Sequence, residues 1–315
     1  MSKKPSKSPV SDLKPFIAPF RFDGSGAFHL KSLKTDEKGG LDKDKAEKLL
    51  DANRKRLSDF QERLYAQDRW SVLIIFQGMD ASGKDSAIKN IFAGVNPQGC
   101  EVHSFKQPST TELAHDFLWR HAIALPRRGN IGIFNRSYYE ECLVTRVHRQ
   151  LLAKEKLPSK LVTKNIWRER FEDICAFERY LARNGTVILK FFLNISKEEQ
   201  RRRFLDRLDD PAKVWKFSMA DVAERALWHR YMAAYQDMLR HTSSGSPWYV
   251  VPADHKWFAR LVIGSVILDA LEALNLRFPR ADKASLEEFK QVQAALLNEG
   301  KPRAAKKVAA KRPVA

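Results

Sequence analysis

One heptapeptide and its flanks constrain this chain more than any other feature. Gly78-Met79-Asp80-Ala81-Ser82-Gly83-Lys84 follows the unbroken apolar run Val72-Leu73-Ile74-Ile75-Phe76 and precedes a helix-compatible run, Ser86 to Ala93. A short apolar run without polar alternation predicts a strand buried on both faces, as in a parallel sheet. The glycines let successive backbone amides turn inward around an anion. The helix that follows offers unpaired amides and the positive end of its dipole. Lys84 adds a mobile full charge. Strand, G-x-x-x-x-G-K loop and helix stand in the order of a phosphate-binding loop. The expected phosphate ligands are Gly78, Ala81, Ser82, Gly83, Lys84, Asp85 and Ser86.

The rest of the chain agrees with that local reading. Short apolar runs recur at 101–105, 130–134, 186–193 and 248–251. Helical patterns lie around them at 42–67, 111–125, 138–149, 164–182, 196–208, 220–241 and 256–274. In the fourth of these, Trp167, Phe171, Ile174, Phe177 and Leu181 repeat every three to four residues. Strand and helix alternate throughout, which predicts a doubly wound α/β layer. No repeat or linker interrupts 70–275. The expected organisation is an extended basic arm over 1–40, one catalytic domain over 41–300, and a disordered basic tail over 301–315.

Charge narrows the function. The 315 residues hold 56 Lys+Arg against 38 Asp+Glu, a net +18. The arm contributes +4 and the tail +6, so the folded part keeps +8 and needs its own anionic partner. No apolar run approaches the roughly 20 residues of a membrane helix, and MSKKPSKSPV has no secretory core. Cys100, Cys142 and Cys175 are odd in number and widely spaced, which predicts reduced thiols in a cytoplasmic protein.

Two carboxylates beside a phosphate cradle repel the ligand unless a cation lies between them. Asp85 stands where phosphate loops carry a metal-binding hydroxyl, and Asp80 lies inside the loop. Asp80 and Asp85 are therefore the expected holders of Mg²⁺, or of Mn²⁺. The run Ile131 to Phe134 leads into Asn135-Arg136-Ser137-Tyr138-Tyr139-Glu140-Glu141. That places Arg136 at the carboxyl edge of the sheet, where ligands of open α/β sheets bind. Glu140 and Glu141 can complete a metal site or hold a nucleotide hydroxyl. Further on, Arg203 and Arg207 share a helix face, and Lys216 follows in a basic loop. Together they read as a lid over phosphates, spanning about 198–222. Arg201 and Arg202 read as surface ion-pairing residues.

The ordered blocks GMDASGKD (78–85), NPQG (96–99), SFKQPS (104–109), HDFLWR (115–120), FNRSYYE (134–140), EEQRRRFLDRLDDPAKVWKF (198–217) and WYVVPADHKWF (248–258) resemble the polyphosphate kinase 2 family. The resemblance runs from about residue 45 to 278. It implies a three-layer P-loop kinase-like fold with a central, mostly parallel sheet and a helical lid. It implies transfer of phosphate between inorganic polyphosphate and a nucleoside di- or monophosphate with Mg²⁺, mainly toward nucleotide phosphorylation, by a homo-oligomer. By the same resemblance Asp80, Lys84 and Arg136 are catalytic, and Arg203, Arg207 and Lys216 bind phosphate from the lid. Asn135, Tyr138, Glu140, Glu141 and Lys106 fall on the nucleotide side. Glu141 sits where the family varies, which leaves the choice between mono- and diphosphate open.

Polyphosphate carries charge much as a nucleic-acid backbone does, so a basic body suits it. The acceptor is already an ionised phosphate and needs no general base; His115 and Asp116 read as packing or capping residues. Two other readings share the same residues. One is an ATP-dependent kinase of a nucleotide or another small molecule. The other is a polyanion- or nucleic-acid-binding protein, with any such contact carried by the basic tail.

Overall fold

The computed structural model describes residues 13–299, apart from the side chain of Lys216. Residues 1–12 of the expected arm and the 301–315 tail lie outside the described residues.

Strand β2 (Ser71–Gln77) is buried along its whole length. Leu73, Ile74, Ile75 and Phe76 are each 0% exposed, and burying each such side chain contributes about 1.5–3 kcal/mol. The other strands are β1 (Arg21–Phe22), β3 (Cys100–Ser104), β4 (Ile131–Asn135), β5 (Thr186–Asn194) and β6 (Trp248–Pro252). They form one sheet in the order β1-β6-β5-β2-β4-β3. Only β1 runs antiparallel, against β6; the remaining pairings are parallel, as the continuous apolar runs predict. Ile74 of β2 lies between Ile133 of β4 and Leu189 of β5. The chain goes from β2 to the outer β3, returns to β4, then crosses β2 to β5 and β6. The carboxyl end of β2 is therefore flanked by strand ends from both directions, the place where such sheets hold ligands.

The helices are α1 (Lys43–Gln67), α2 (Lys84–Ile91), α3 (Trp119–Ala122), α4 (Glu140–Val147), α5 (Ile166–Arg183), α6 (Lys197–Leu208), α7 (Met219–Ala226), α8 (Trp228–Thr242), α9 (Lys256–Ala273) and α10 (Lys283–Asn298). α1 and α2 pack with α9, and α4 and α5 pack with α8. The result is the expected α/β architecture, a mostly parallel sheet surrounded by helices.

Three expectations differ. Residues 13–40 are not an extended arm: Leu13, Ile17, Phe28 and Leu30 are buried in the core, and Gln236 on α8 bonds both Leu30 N–H and Phe28 C=O at 2.7 Å. Leu30 lies in a short 3-10 turn, Leu13 and Ile17 flank two others and Phe28 is in irregular chain, so these anchors show no helical or strand period. The helix expected over 111–125 is a 3-10 turn at Glu112–Ala114 followed by α3, because the Asp116 carboxylate accepts the Leu118 N–H and breaks the run. The chain also divides into two compact units, Met1–Arg277 and Phe278–Ala315, where a single domain to residue 300 was expected. In the second, Asp282 caps α10 by accepting the Ser285 N–H.

Candidate active site

The loop after β2 has the shape its glycines require. Gly78 has φ +152°, and a Cβ there would lie 2.8 Å from Ser82 Oγ and 2.9 Å from the Leu193 carbonyl, so no other residue fits. Ala81 takes the left-handed region without being glycine, at φ +61°. α2 then starts at Lys84. Lys84 Nζ is buried and folds back to donate to Gly78 O at 2.7 Å and Met79 O at 3.3 Å. Burial, and then the nearby Arg136, push its pKa down to about 8. Ser82 Oγ is buried with no hydrogen-bond partner among the described residues. Ser86, expected in the cradle, instead gives its hydroxyl to Gly83 O at 3.0 Å.

The end of β4 comes to the same place. Arg136 sits at φ +65°, a conformation that costs an L residue about 1–2 kcal/mol. Its N–H is fixed to Phe76 O at 3.1 Å. Its guanidinium bridges Asp80 Oδ1 at 2.7 Å and Glu140 Oε2 at 3.2 Å. Glu140 first, with Asp80, holds the Arg136 pKa above its ordinary range. Asn135 donates its amide to Asp85 Oδ1 at 2.6 Å, so the uncharged residue at the strand end orients a loop carboxylate.

Beside Arg136 opens a cavity of about 390 Å³, lined among others by Phe105, Lys106, Arg120, Arg136, Glu140 and Glu141. That size suits a small polar ligand such as a nucleotide. Glu141 accepts from Thr145 Oγ1 at 2.7 Å, and Arg120 Nη2 lies 3.6 Å away. Burial raises the Glu141 pKa against the pull of Thr145 and the arginines. Of the residues expected on the nucleotide side, Lys106, Glu140 and Glu141 line this cavity. Tyr138 does not: it is 0% exposed, packs edge-on against His121 and Phe177, and donates its hydroxyl to Glu178 at 2.9 Å.

The arginines of α6 separate into three roles. Arg201 and Arg202 form the expected exposed pairs with Glu198, Glu199 and Asp206. Arg203 was expected to reach phosphate, but it is 4% exposed and all five of its N–H groups are taken. Nε meets Glu199 at 2.7 Å, Nη1 meets Ala81 O and Ser82 O at 2.9 Å each, and Nη2 meets Ala253 O at 2.6 Å and Asp254 O at 3.1 Å. It braces the phosphate loop from below, holding the strained Ala81 turn. Arg207, one turn on, is half-buried over the Phe204 ring and makes no ion pair among the described residues. Lys216 ends the 3-10 turn Val214–Lys216, and its side chain lies outside the described residues.

Sequence reasoning passed over several supports. Gln200 on α6 is buried, donates to Asp80 O at 3.0 Å and accepts from Arg225 of α7 at 3.0 Å, joining both helices to the loop. Asp254, after β6, accepts from Ser196 N at 2.8 Å and Thr35 Oγ1 at 2.7 Å, and its own N–H donates to Thr35 O. Nothing in residue type alone singles these out; the spacing of Gln200 from Arg203 and Arg207 is the one available signal.

No three His, Cys, Asp or Glu side chains converge as a metal cage among the described residues. A divalent cation that completes its shell with phosphate oxygens and water needs only one or two carboxylates from the protein. Asp80 and Asp85 each use one oxygen internally, to Arg136 and Asn135, and keep the other for such a role.

A glycine loop with a buried lysine at a parallel sheet's carboxyl edge, with a cavity alongside, has the working parts of a P-loop kinase. The polyphosphate kinase 2 family model matches residues 40–279. An ADP-polyphosphate phosphotransferase of Rhodopseudomonas palustris is 52% identical over 251 residues, covering 79% of this chain and 87% of that one. An AMP/ADP-polyphosphate phosphotransferase of Meiothermus ruber is 43% identical over 269 residues, 84% of this chain and 97% of that one. The crystal structure of polyphosphate kinase 2 from Arthrobacter aurescens superimposes with a TM-score of 0.79 at 37% identity, covering 87% of this chain and 95% of that one. The chain belongs to the polyphosphate kinase 2 family.

Proposed function

We propose that the chain moves the terminal phosphoryl group of inorganic polyphosphate onto a nucleoside di- or monophosphate, with the nucleotide-phosphorylating direction dominant. The observation that carries this reading is the double membership of Arg136. Its guanidinium lies 2.7 Å from Asp80 of the phosphate loop and also lines the 390 Å³ cavity. One cation is thereby set between a donor seated on loop amides and an acceptor seated in the cavity.

The residues then have distinct tasks. The amides of 78–84 receive the donor's terminal phosphate. Lys84 exchanges the Gly78 and Met79 carbonyls for phosphate oxygens and regains a firmly held proton there. Arg136 bridges both ligands and neutralises the equatorial oxygens as they pass, the electrostatic help that phosphoryl transfer depends on. Arg207 and Lys216 close on the chain from the lid. Glu140, Glu141 and Lys106 orient the nucleotide. Asp80 and Asp85 would hold Mg²⁺, which would supply further charge neutralisation. An acceptor phosphate oxygen forms the new P–O bond as the bond to the polyphosphate chain breaks, and the polymer leaves one unit shorter. No proton has to be removed from the acceptor.

The same reading takes the enzyme as cytoplasmic and homo-oligomeric, with nucleic-acid contact at most accessory. Cys100, Cys142 and Cys175 are free thiols, which supports a reducing compartment. The test is a matrix of AMP, ADP, GMP and GDP against polyphosphate with Mg²⁺, read by product chromatography in both directions. Formation of the higher nucleotide is expected. Transfer from ATP to some other acceptor, with polyphosphate inert, would overturn the proposal in favour of an ATP-dependent kinase.

A further inference from the structure

Two residues separate the Arg136–Ser137 turn from Glu140, and both are tyrosines tied to one buried carboxylate. Glu178 on α5 is 3% exposed. Its Oε1 accepts from Tyr138 Oη at 2.9 Å and from Tyr139 Oη at 2.8 Å. Its Oε2 accepts from Lys190 Nζ at 2.7 Å. Lys190, 0% exposed in the middle of β5, fills its other donors with Thr242 O at 2.6 Å and Tyr139 Oη at 3.0 Å. Thr242 in turn accepts from Trp248 Nε1 at 2.9 Å. Desolvation, then Glu178, raise both tyrosine pKa values well above the ordinary range, so both hydroxyls stay donors.

A buried ion pair is weak evidence for stability, since well-packed apolar residues often do as well. What this network does is local. It fixes consecutive residues at the start of α4, immediately after a left-handed Arg136 whose guanidinium must be aimed at two ligands. We infer that Glu178 is a positioning residue for phosphoryl transfer, anchoring the Tyr138–Tyr139 segment so that Arg136 and Glu140 hold their geometry in the cleft. This deepens the proposed function, because it rests on Arg136 acting between donor and acceptor.

The test uses the full chain and two double variants. Tyr138→Phe/Tyr139→Phe removes the anchoring hydroxyls and leaves the Glu178–Lys190 pair. Glu178→Gln/Lys190→Met removes the charges and keeps an acceptor for both tyrosines. Misplacement of a catalytic group by an ångström costs on the order of a hundredfold, so the tyrosine variant is expected to lose roughly ten- to a hundredfold in kcat with both KM values little changed. The Gln/Met variant, which keeps both tyrosine hydroxyls and an acceptor for them, is expected to retain most of the wild-type kcat. Amide hydrogen exchange, which needs no turnover, is expected to quicken over 136–141 in the tyrosine variant alone, with 78–84 unchanged. A tyrosine variant with wild-type kcat and unaltered exchange over 136–141 would overturn the inference. So would losses in both variants that simply track their melting temperatures. If the wild type itself left polyphosphate unused, the proposed function would fail, while the exchange result would still decide the anchor.

Discussion

Replacing Arg203 by Met separates a brace from a ligand. The substitution keeps the length of the side chain and removes all five donors. It leaves four loop carbonyls, of Ala81, Ser82, Ala253 and Asp254, and the Glu199 carboxylate without their partner. Adding a penalty for each group would overcount, because the loop relaxes and water reaches some of them. Removing one partner of a buried charged cluster typically costs about 3–5 kcal/mol. At about 2–4 °C per kcal/mol for a domain of this size, the melting temperature should fall by roughly 6–20 °C. Activity should fall with it, since Ala81 is held left-handed by this contact. The assay is thermal unfolding followed by circular dichroism, with kcat measured well below the transition. A variant that melts within about 2 °C of wild type yet loses more than about a hundredfold in kcat would refute the reasoning and return Arg203 to the phosphate.

Arg207→Ala should do the reverse, raising KM for polyphosphate while leaving the melting temperature nearly unchanged; an equal loss of stability would mean it packs rather than binds. Lys84→Ala should abolish measurable turnover in a folded protein, and a near-normal rate would show that 78–84 does not hold the transferred phosphate. Lys84 also sets a pH dependence with opposite signs in two measurements. Its pKa in the folded chain, about 8, lies below the ordinary lysine value of 10.5, so the unfolded chain binds the proton more tightly. The burial penalty is therefore complete below pH 8, and the unliganded protein gains stability relative to Lys84→Met as pH rises from about 8 toward 10.5. Affinity for polyphosphate should fall over the same interval, because the charge that meets phosphate is being lost. A wild-type minus variant difference in melting temperature that stays flat across that interval would contradict this.

The sheet and the loop were legible because their signals are local. Short, largely apolar runs pointed to the parallel strands, and Gly78 and Gly83 announced a turn with positive φ. The two-residue β1 and the anchors Leu13, Ile17, Phe28 and Leu30 carry no period for a pattern to detect. Arg203 and Arg207 look alike on a helix face; what lies beneath Arg203 is a matter of tertiary contact. Tyr138 sits beside the site in sequence and turns away from it in space. Lys190 was the readable clue that went unused. A charge in the midst of Thr186–Leu193, a run expected to be buried on both faces, requires a buried counter-charge somewhere in the fold. Glu178 is that partner.

Asp254 ties the segment around Thr35 to the root of α6. It is joined to Thr35, to Ser196 at the root of α6, and through its carbonyl to Arg203. Were α6 to move as a lid, the segment around Thr35 would tether its pivot, and cutting the protein back past Thr35 would slacken it without touching a substrate-facing atom. How quickly product escapes would then depend on a stretch of polypeptide remote from the chemistry, which makes that stretch a place where evolution or an engineer could set the enzyme's tempo.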